Sequence, residues 1–379
     1  MKRSNNKIFV TDYDKTILYA FLSLIVIGLL IQLDINSVRN SMVFFYKQFA
    51  FALVSLVLAL FTLFYINLDK LRRWNMALIV LTIVLLALVL WRGTSIKGAV
   101  RGINFGIVNF QPSYLARVAL IFYVANIIDK KREELSKSGV VDFIKHFLPL
   151  LVIAGSIYAL IMAGQHFSAL VISAASLVCL LFLGGLKFRI VGILLLVTII
   201  GAFAIIKMGA SFRSERLDIF KKYCLLIRDD NIKIEKSKEY QVKESLTALT
   251  SGKLFGTGAD RGRAKHYYLP EARTDYVFTV VGEQFGFLGA IVVFGLHCLL
   301  FIKTMLMAYK QTDFYLRLVA MGLSLNIFFN VLVNVGVSMS ILPSTGNTLP
   351  FISYGGTALL IDSISIGAIL SISAKRKLI

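Results

Sequence analysis

Asp275 is the residue on which chemistry is expected to turn. It stands in Tyr267-Tyr268-Leu269-Pro270-Glu271-Ala272-Arg273-Thr274-Asp275-Tyr276-Val277-Phe278, the end of a long polar segment that runs directly into an apolar helix. A carboxylate is thereby set where water meets hydrocarbon, a costly position unless the group is paired, wet or reactive. A general base acting on a lipid-borne substrate has to sit at such a depth. Glu283 lies two turns further on, in Val281-Gly282-Glu283-Gln284-Phe285-Gly286, within an apolar stretch. Intramembrane acids ordinarily face a bundle interior and pair with a cation, so a structural pair and a catalytic role are both open for it. Gly282 and Gly286 read as small residues for close helix packing. Arg117 follows Gln111-Pro112-Ser113-Tyr114, with Pro112 suited to a first helical position. Its guanidinium either snorkels to the surface or reaches a phosphate, whose geometry it matches. Asp362, inside the last apolar run, is a candidate partner for Arg117.

The elements that must carry these groups are membrane spans. The chain has 379 residues, 57% hydrophobic and only 16% charged, which excludes an ordinary soluble domain. Ten apolar runs of about span length fall at 16–33, 43–66, 74–91, 112–128, 147–163, 167–185, 189–208, 276–302, 316–341 and 352–373. The expected fold is an all-α polytopic membrane protein, one transmembrane domain over 1–379. Lysine and arginine cluster in the N-terminal tail, Lys70 to Arg73, Lys130 to Arg132, Lys187 with Arg189, Lys303 with Lys310, and Lys375 to Lys377. Under ten spans all of these share one side, which makes that side and both termini cytoplasmic, and puts 209–275 outside, between the seventh and eighth spans. The first run reads as an uncleaved signal anchor. The net charge of +20 suits an anionic partner as well as topology. Three scattered cysteines and four histidines without H-E-x-x-H spacing indicate neither a disulfide framework nor a zinc site.

Three polar stretches remain. The outer segment 209–275 is too long for a plain connection. Tyr223-Cys224-Leu225-Leu226-Ile227 implies partial order in it, and Tyr240 to Leu249 reads as an amphipathic helix. Its lip, Ser251-Gly252-Lys253-Leu254-Phe255-Gly256-Thr257-Gly258-Ala259-Asp260-Arg261-Gly262, is no P-loop, since no Lys-Ser/Thr pair closes it. Asn326, Asn330 and Asn334 repeat at i, i+4, i+8, as interhelical hydrogen-bonding residues do. Leu342 to Gly356 is an external turn leading to a glycine-opened helix, and irregular backbone at that depth must line a cavity or be buried in protein.

Taken together these blocks resemble the SEDS family of bacterial cell-wall polymerases, the group of RodA, FtsW and SpoVE. The match is carried by Gln111-Pro112-Ser113, by Tyr240-Gln241 through Ser245 with the glycine-rich lip, by Tyr268-Leu269-Pro270-Glu271 with Thr274-Asp275-Tyr276 and Gly282-Glu283, and by Pro343-x-Thr345-Gly346-x-x-Leu349-Pro350-Phe351-x-Ser353-Tyr354-Gly355-Gly356. Gly282-Glu283 and Thr348 to Phe351 look more like FtsW than RodA.

The resemblance implies a peptidoglycan glycosyltransferase that polymerises lipid II, a disaccharide peptide on undecaprenyl pyrophosphate, at the outer face of the bacterial cytoplasmic membrane, for division or shape maintenance. It implies partnership with a class B penicillin-binding protein and other divisome or elongasome membrane proteins, and none with nucleic acid. The family's essential outer-loop aspartate falls on Asp275, expected as general base. Arg101, Arg117, Lys265 and Arg273 are the candidate cations for the leaving pyrophosphate, with a divalent ion (Mg or Mn) as a candidate cofactor. Gln111, Glu271 and Ser353 are further candidate substrate contacts; Glu283, Pro343, Gly346, Pro350, Gly355 and Gly356 are candidate supporting residues. The chain departs from the family at Tyr114 and Arg117 (usually Glu and Lys), at Gly102 after Arg101 (usually Trp), and at Gly164-Gln165-His166 (usually acid-Pro or Gln-Pro). The departures leave open a non-catalytic member, a lipid II flippase or a scaffold for the penicillin-binding protein. An unrelated ion-coupled transporter would explain Glu283, Asp362 and the asparagines but not the long basic loop.

Overall fold

Runs of Leu, Ile, Val and Phe without interior proline leave the backbone no better partner than itself, and a helix covers each of the ten expected segments. The computed structural model describes residues 8–378 apart from 97–98, 105, 107–108, 209–210, 225–228, 230–233, 235 and 259–261. Leu225 to Ile227, Gly98 and the Ala259-Asp260-Arg261 part of the lip therefore lie outside the described residues.

Among the described residues, six helices are long and apolar enough on their own to cross a membrane: Lys15–Val38, Met42–Tyr65, Leu68–Arg92, Val277–Tyr309, Phe314–Ser338 and Gly356–Ser373. A seventh candidate is the pair Val140–His146 and Leu148–Ala163, bent by 76°. Pro112–Lys130, Phe167–Leu183 and Phe188–Met208 fill the remaining expected positions. The chain is a multi-pass membrane protein whose spans are all helical. Its inner helices are Phe314–Ser338 and Gly356–Ser373, more than 70% buried, together with Pro112–Lys130, buried on nearly every face. Val277–Tyr309 and Leu68–Arg92 stand outside, and their exposed residues, such as Leu81, Val84, Ile291 and Val292, form an apolar rim suited to lipid.

Close approaches fix the packing. Gly367 faces Ala59 so tightly that a Cβ would lie 2.5 Å from its carbonyl oxygen, which seats the last helix on the second. Gly28 admits the backbone of Phe351 and Ile352 to the first helix in the same way. Phe351 takes a positive φ of 66°, and this bend delays the last helix to Gly356, four residues after the expected start. Asp14 caps the first helix through Thr16 N, at 2.9 Å, and its own amide donates to Ser373 Oγ.

Short strands were not expected. Ile8–Asp12 pairs antiparallel with Lys375–Leu378, so the two ends lie on one side of the bundle. Thr94–Ile96, Ala99–Asn104 and Asn109–Phe110 form a three-stranded sheet between the third and fourth expected spans.

The segment 209–275 is partly helical, over Ser211–Tyr223 and Lys236–Ser251, the latter covering the expected amphipathic helix. Lys222 Nζ joins the two by donating to Glu239 Oε2 at 2.5 Å, a pair largely withdrawn from water. That hydrogen bond holds the Glu239 carboxyl below its usual range. A depressed folded-state value stabilises above the unfolded value and is lost as pH falls through the folded one. Acidification below the ordinary glutamate range (about 4.3) is expected to loosen the Lys236–Ser251 helix. Faster amide exchange there should report it, and Glu239→Gln should remove the pH dependence.

Candidate active site

The Asp275 turn is built by its own backbone. Glu271 has φ of +57°, a left-handed conformation that costs a non-glycine residue about 1 kcal/mol. Its carbonyl accepts from Thr274 N at 3.1 Å and Tyr276 N at 3.3 Å, and its carboxylate from Thr274 Oγ1 at 2.9 Å. Leu269, Ala272 and Tyr276 are buried, which anchors the turn and leaves Asp275 half-buried just before the Val277–Tyr309 helix begins.

The segment after Ser338 closes over this turn. Ser353 Oγ donates to Thr274 O at 2.5 Å and accepts from Leu349 N at 2.8 Å, and Tyr354 N donates to Arg273 O at 2.8 Å. Gln32 Nε2, on the first helix, donates to Arg273 O and Ile352 O, and Gln48 Nε2, on the second, to Ser353 O. The asparagine stripe completes the tie. Asn334 Nδ2 donates to Asp275 O at 2.9 Å and Asn347 O at 2.7 Å, while Asn347 Nδ2 donates to Asn330 O. Gly346, with φ of +72°, brings Asp275 and Arg101 to one point: a Cβ there would lie 3.5 Å from Asp275 Oδ2 and 3.6 Å from Arg101 Nη1. A carboxylate and a guanidinium thus share the mouth of the turn.

The face is fixed by the first helix. One end meets Ser373 at the side of the termini; at the other, Ser41 accepts from Arg273 Nη2 and Arg39 donates to the Lys265 and Leu269 carbonyls. The intervening 24 residues span about 36 Å. Asp275 therefore lies across the bundle from both chain ends.

The other candidates are distributed around this centre. Gln111 precedes the Pro112 helix, its amide 3.3 Å from Thr357 Oγ1. Arg117 lies inside the bundle, fully buried, over the Tyr114 ring at 4.6 Å and donating to Asn330 Oδ1 at 2.9 Å, so it does not snorkel. Tyr114 stands within electrostatic reach of Arg117, Asp362 and Asp275, and its hydroxyl is 3.4 Å from Thr348 Oγ1. Lys265 is buried and paired with Asp34 at 2.9 Å, which also accepts from Gln284 Nε2. Arg273 stacks over Phe44. Pro343 adjoins Ser344, whose carbonyl accepts from Arg216 Nη1 at 2.9 Å, and Pro350 O lies 3.2 Å from His297 Nε2. Gly355 N donates weakly to Gln48 Oε1, and Gly356 admits the Phe51 ring. His166, at the Gly164 departure, sits 2.7 Å from Ser113 Oγ; burial, with Arg101 and Arg117 nearby, pushes its pKa down to about 3 and keeps it neutral.

Two expectations change. Glu283 is held by backbone amides, not by a cation: Oε1 accepts from Arg263 N at 2.8 Å and Oε2 from Ala264 N at 2.9 Å. Gly282 packs against a helix as expected, with Leu249 of Lys236–Ser251 over it, but Gly286 serves the lip instead: it breaks its own helix with φ of 67° and ψ of −165° and receives the Leu254 and Gly256 backbone. Sequence reasoning passed over Gln32, Asp34, Gln48 and Arg216. For Gln32 and Asp34 a signal existed, as polar residues at the end of an apolar run on one helix.

Residues 12–378 match the family model described as cell cycle protein, FtsW/RodA/SpoVE. The "probable peptidoglycan glycosyltransferase FtsW" of Trichlorobacter lovleyi is 32% identical over 97% of this chain and 95% of its own length. Stage V sporulation protein E of Bacillus subtilis is 28% identical over 96% of this chain and 97% of its own. Among solved structures, a chain of a peptidoglycan synthase complex coordinating polymerization and crosslinking superposes with a TM-score of 0.77, covering 95% of this chain and 97% of that one, at 23% identity. Rod shape determining protein RodA of Thermus thermophilus gives 0.68, also at 23% identity, over 95% of this chain and 96% of its own. Family model and relatives span nearly the whole sequence, and the chain belongs to the FtsW/RodA/SpoVE family of cell cycle proteins.

Proposed function

We propose that this chain is a peptidoglycan glycosyltransferase that polymerises lipid II at the outer face of the bacterial cytoplasmic membrane. The observation that carries it is the half-buried Asp275 carboxylate beside Arg101, on the face opposite both termini. Lysine and arginine clusters put the termini in the cytoplasm, under ten crossings, and the Asp275 face outside. Asp275 takes the proton of the acceptor sugar's 4-hydroxyl. The freed oxygen pair attacks the donor's anomeric carbon, the bond from that carbon to the pyrophosphate oxygen breaks, and undecaprenyl pyrophosphate leaves with its electrons, inverting the centre. Arg101 stabilises charge developing on the leaving group. No three His, Cys, Asp or Glu side chains gather among the described residues. The described residues thus make no all-protein cage for magnesium or manganese, and no step is routed through one. A class B penicillin-binding protein cross-links the product.

The test is glycan-strand formation from purified lipid II by the detergent-solubilised full chain, with and without that partner; no strands in either case would overturn the reading. Arg117, fully buried behind Tyr114, is assigned to holding Tyr114 and Asn330 in place on the substrate's phosphate side. Arg117→Ala is expected to weaken lipid II binding severalfold through the displaced Tyr114 ring and to lower Tm, and unchanged binding would leave it as a buried partner of Asn330 alone. The polar interior formed by Tyr114, Arg117, Asn330 and Asp362 favours a second reading, lipid II translocation. Translocation into vesicles by a chain lacking the Asp275 carboxylate would support it.

A further inference from the structure

We propose that the tip of the lip, Lys253-Leu254-Phe255, is a membrane anchor seated in the hydrocarbon edge of the leaflet on the Asp275 side. The Val277–Tyr309 helix has 33 residues and a length of about 50 Å, well beyond the ~30 Å of a bilayer core. From Phe287 to Ile302, just before Lys303, it runs roughly 24 Å without a charged side chain, its polar groups being His297 and the thiol of Cys298. The break at Gly286 therefore falls where that span leaves the hydrocarbon.

A break at this depth frees backbone groups that lipid cannot satisfy. The lip supplies their partners. Phe287 N donates to Lys253 O at 2.9 Å and Leu288 N to Leu254 O at 3.2 Å, while Thr257 N and Gly258 N donate to Glu283 O and Gln284 O. The join is backbone on backbone: a Cβ at Gly256 would lie 2.1 Å from Gln284 O, and one at Gly286 2.3 Å from Gly256 N. The lip is thus held rigidly at the level of the break.

Its side chains at that level face outward. Phe255 is 76% exposed and Leu254 about half, beside equally exposed Phe285, Phe287 and Leu288 of the span. The apolar surface continues without interruption into Ile291 and Val292 on the rim that faces lipid. A large aromatic with a neighbouring lysine that can snorkel is the composition of an interfacial contact. Anchored here, the lip fixes the height of Glu283 and, through Arg263 to Asp275, of the carboxylate above the membrane.

The test uses the full chain in phosphatidylethanolamine–phosphatidylglycerol vesicles, with Cys179, Cys224 and Cys298 replaced by alanine. Nitroxide labels are placed at Phe255→Cys, at Ile291→Cys as the lipid reference and at Thr247→Cys as the aqueous one; all three positions point away from the core. The ratio of oxygen to nickel-complex accessibility at 255 is expected to exceed that at 247 severalfold and to approach that at 291. A ratio at 255 equal to that at 247 overturns the anchor. No turnover enters the readout, so the outcome is separate from that of the glycosyltransferase reading.

Discussion

Asp275→Asn is expected to cut glycan-strand formation from lipid II by about 10²- to 10⁴-fold, the range a positioned general base contributes. Asparagine has nearly the aspartate's shape but takes no proton at neutral pH. The ties holding the turn run through the carbonyl oxygens of residues 274 and 275, which the substitution keeps. Folding, Tm and lipid II binding should therefore stay close to those of the parent chain, and the loss should fall on kcat. Normal polymerisation by this variant would remove Asp275 from the mechanism.

The second large effect is expected at a residue that need not touch substrate. Asn334→Ala takes away the donor shared by the carbonyls of Asp275 and Asn347, at 2.9 and 2.7 Å. Asn334 is completely buried, so water does not readily replace it. Leaving a buried acceptor unpaired costs about 1–3 kcal/mol, and a shift of about 1 Å in a catalytic group about 10²-fold in rate. We expect kcat to fall by about that factor while KM changes little and Tm drops by several degrees. A lowered Tm with unchanged kcat would make Asn334 a stability residue only.

The distribution of what could be read in advance has a physical basis. A membrane span has to satisfy its backbone internally, so its helix announces itself in a local run of apolar residues; all ten segments carry one. The Asp275 block was legible because a carboxylate at such a junction is rare, and because it sits in a specific motif. Its supports were not. Ser353 reaches Thr274 and Gln32 reaches Arg273 across long sequence separations, through carbonyl groups that every residue possesses. Glu283 likewise found two amides where a cation was expected, because the Gly286 break brings the Arg263-Ala264 backbone to it. Side-chain type signals that a partner is needed, whereas the choice of a main-chain partner depends on turns such as Gly346 and Glu271, whose dihedral angles no composition fixes.

The turn bearing Asp275 is gripped by residues 330–354, all of them later in the chain than the turn itself. A chain made only as far as Ser338 would already display the carboxylate, held by Gln32, Ser41 and the turn's own bonds but without Asn347 and Ser353. Full positioning of the base would then wait until the later stretch has folded back over it.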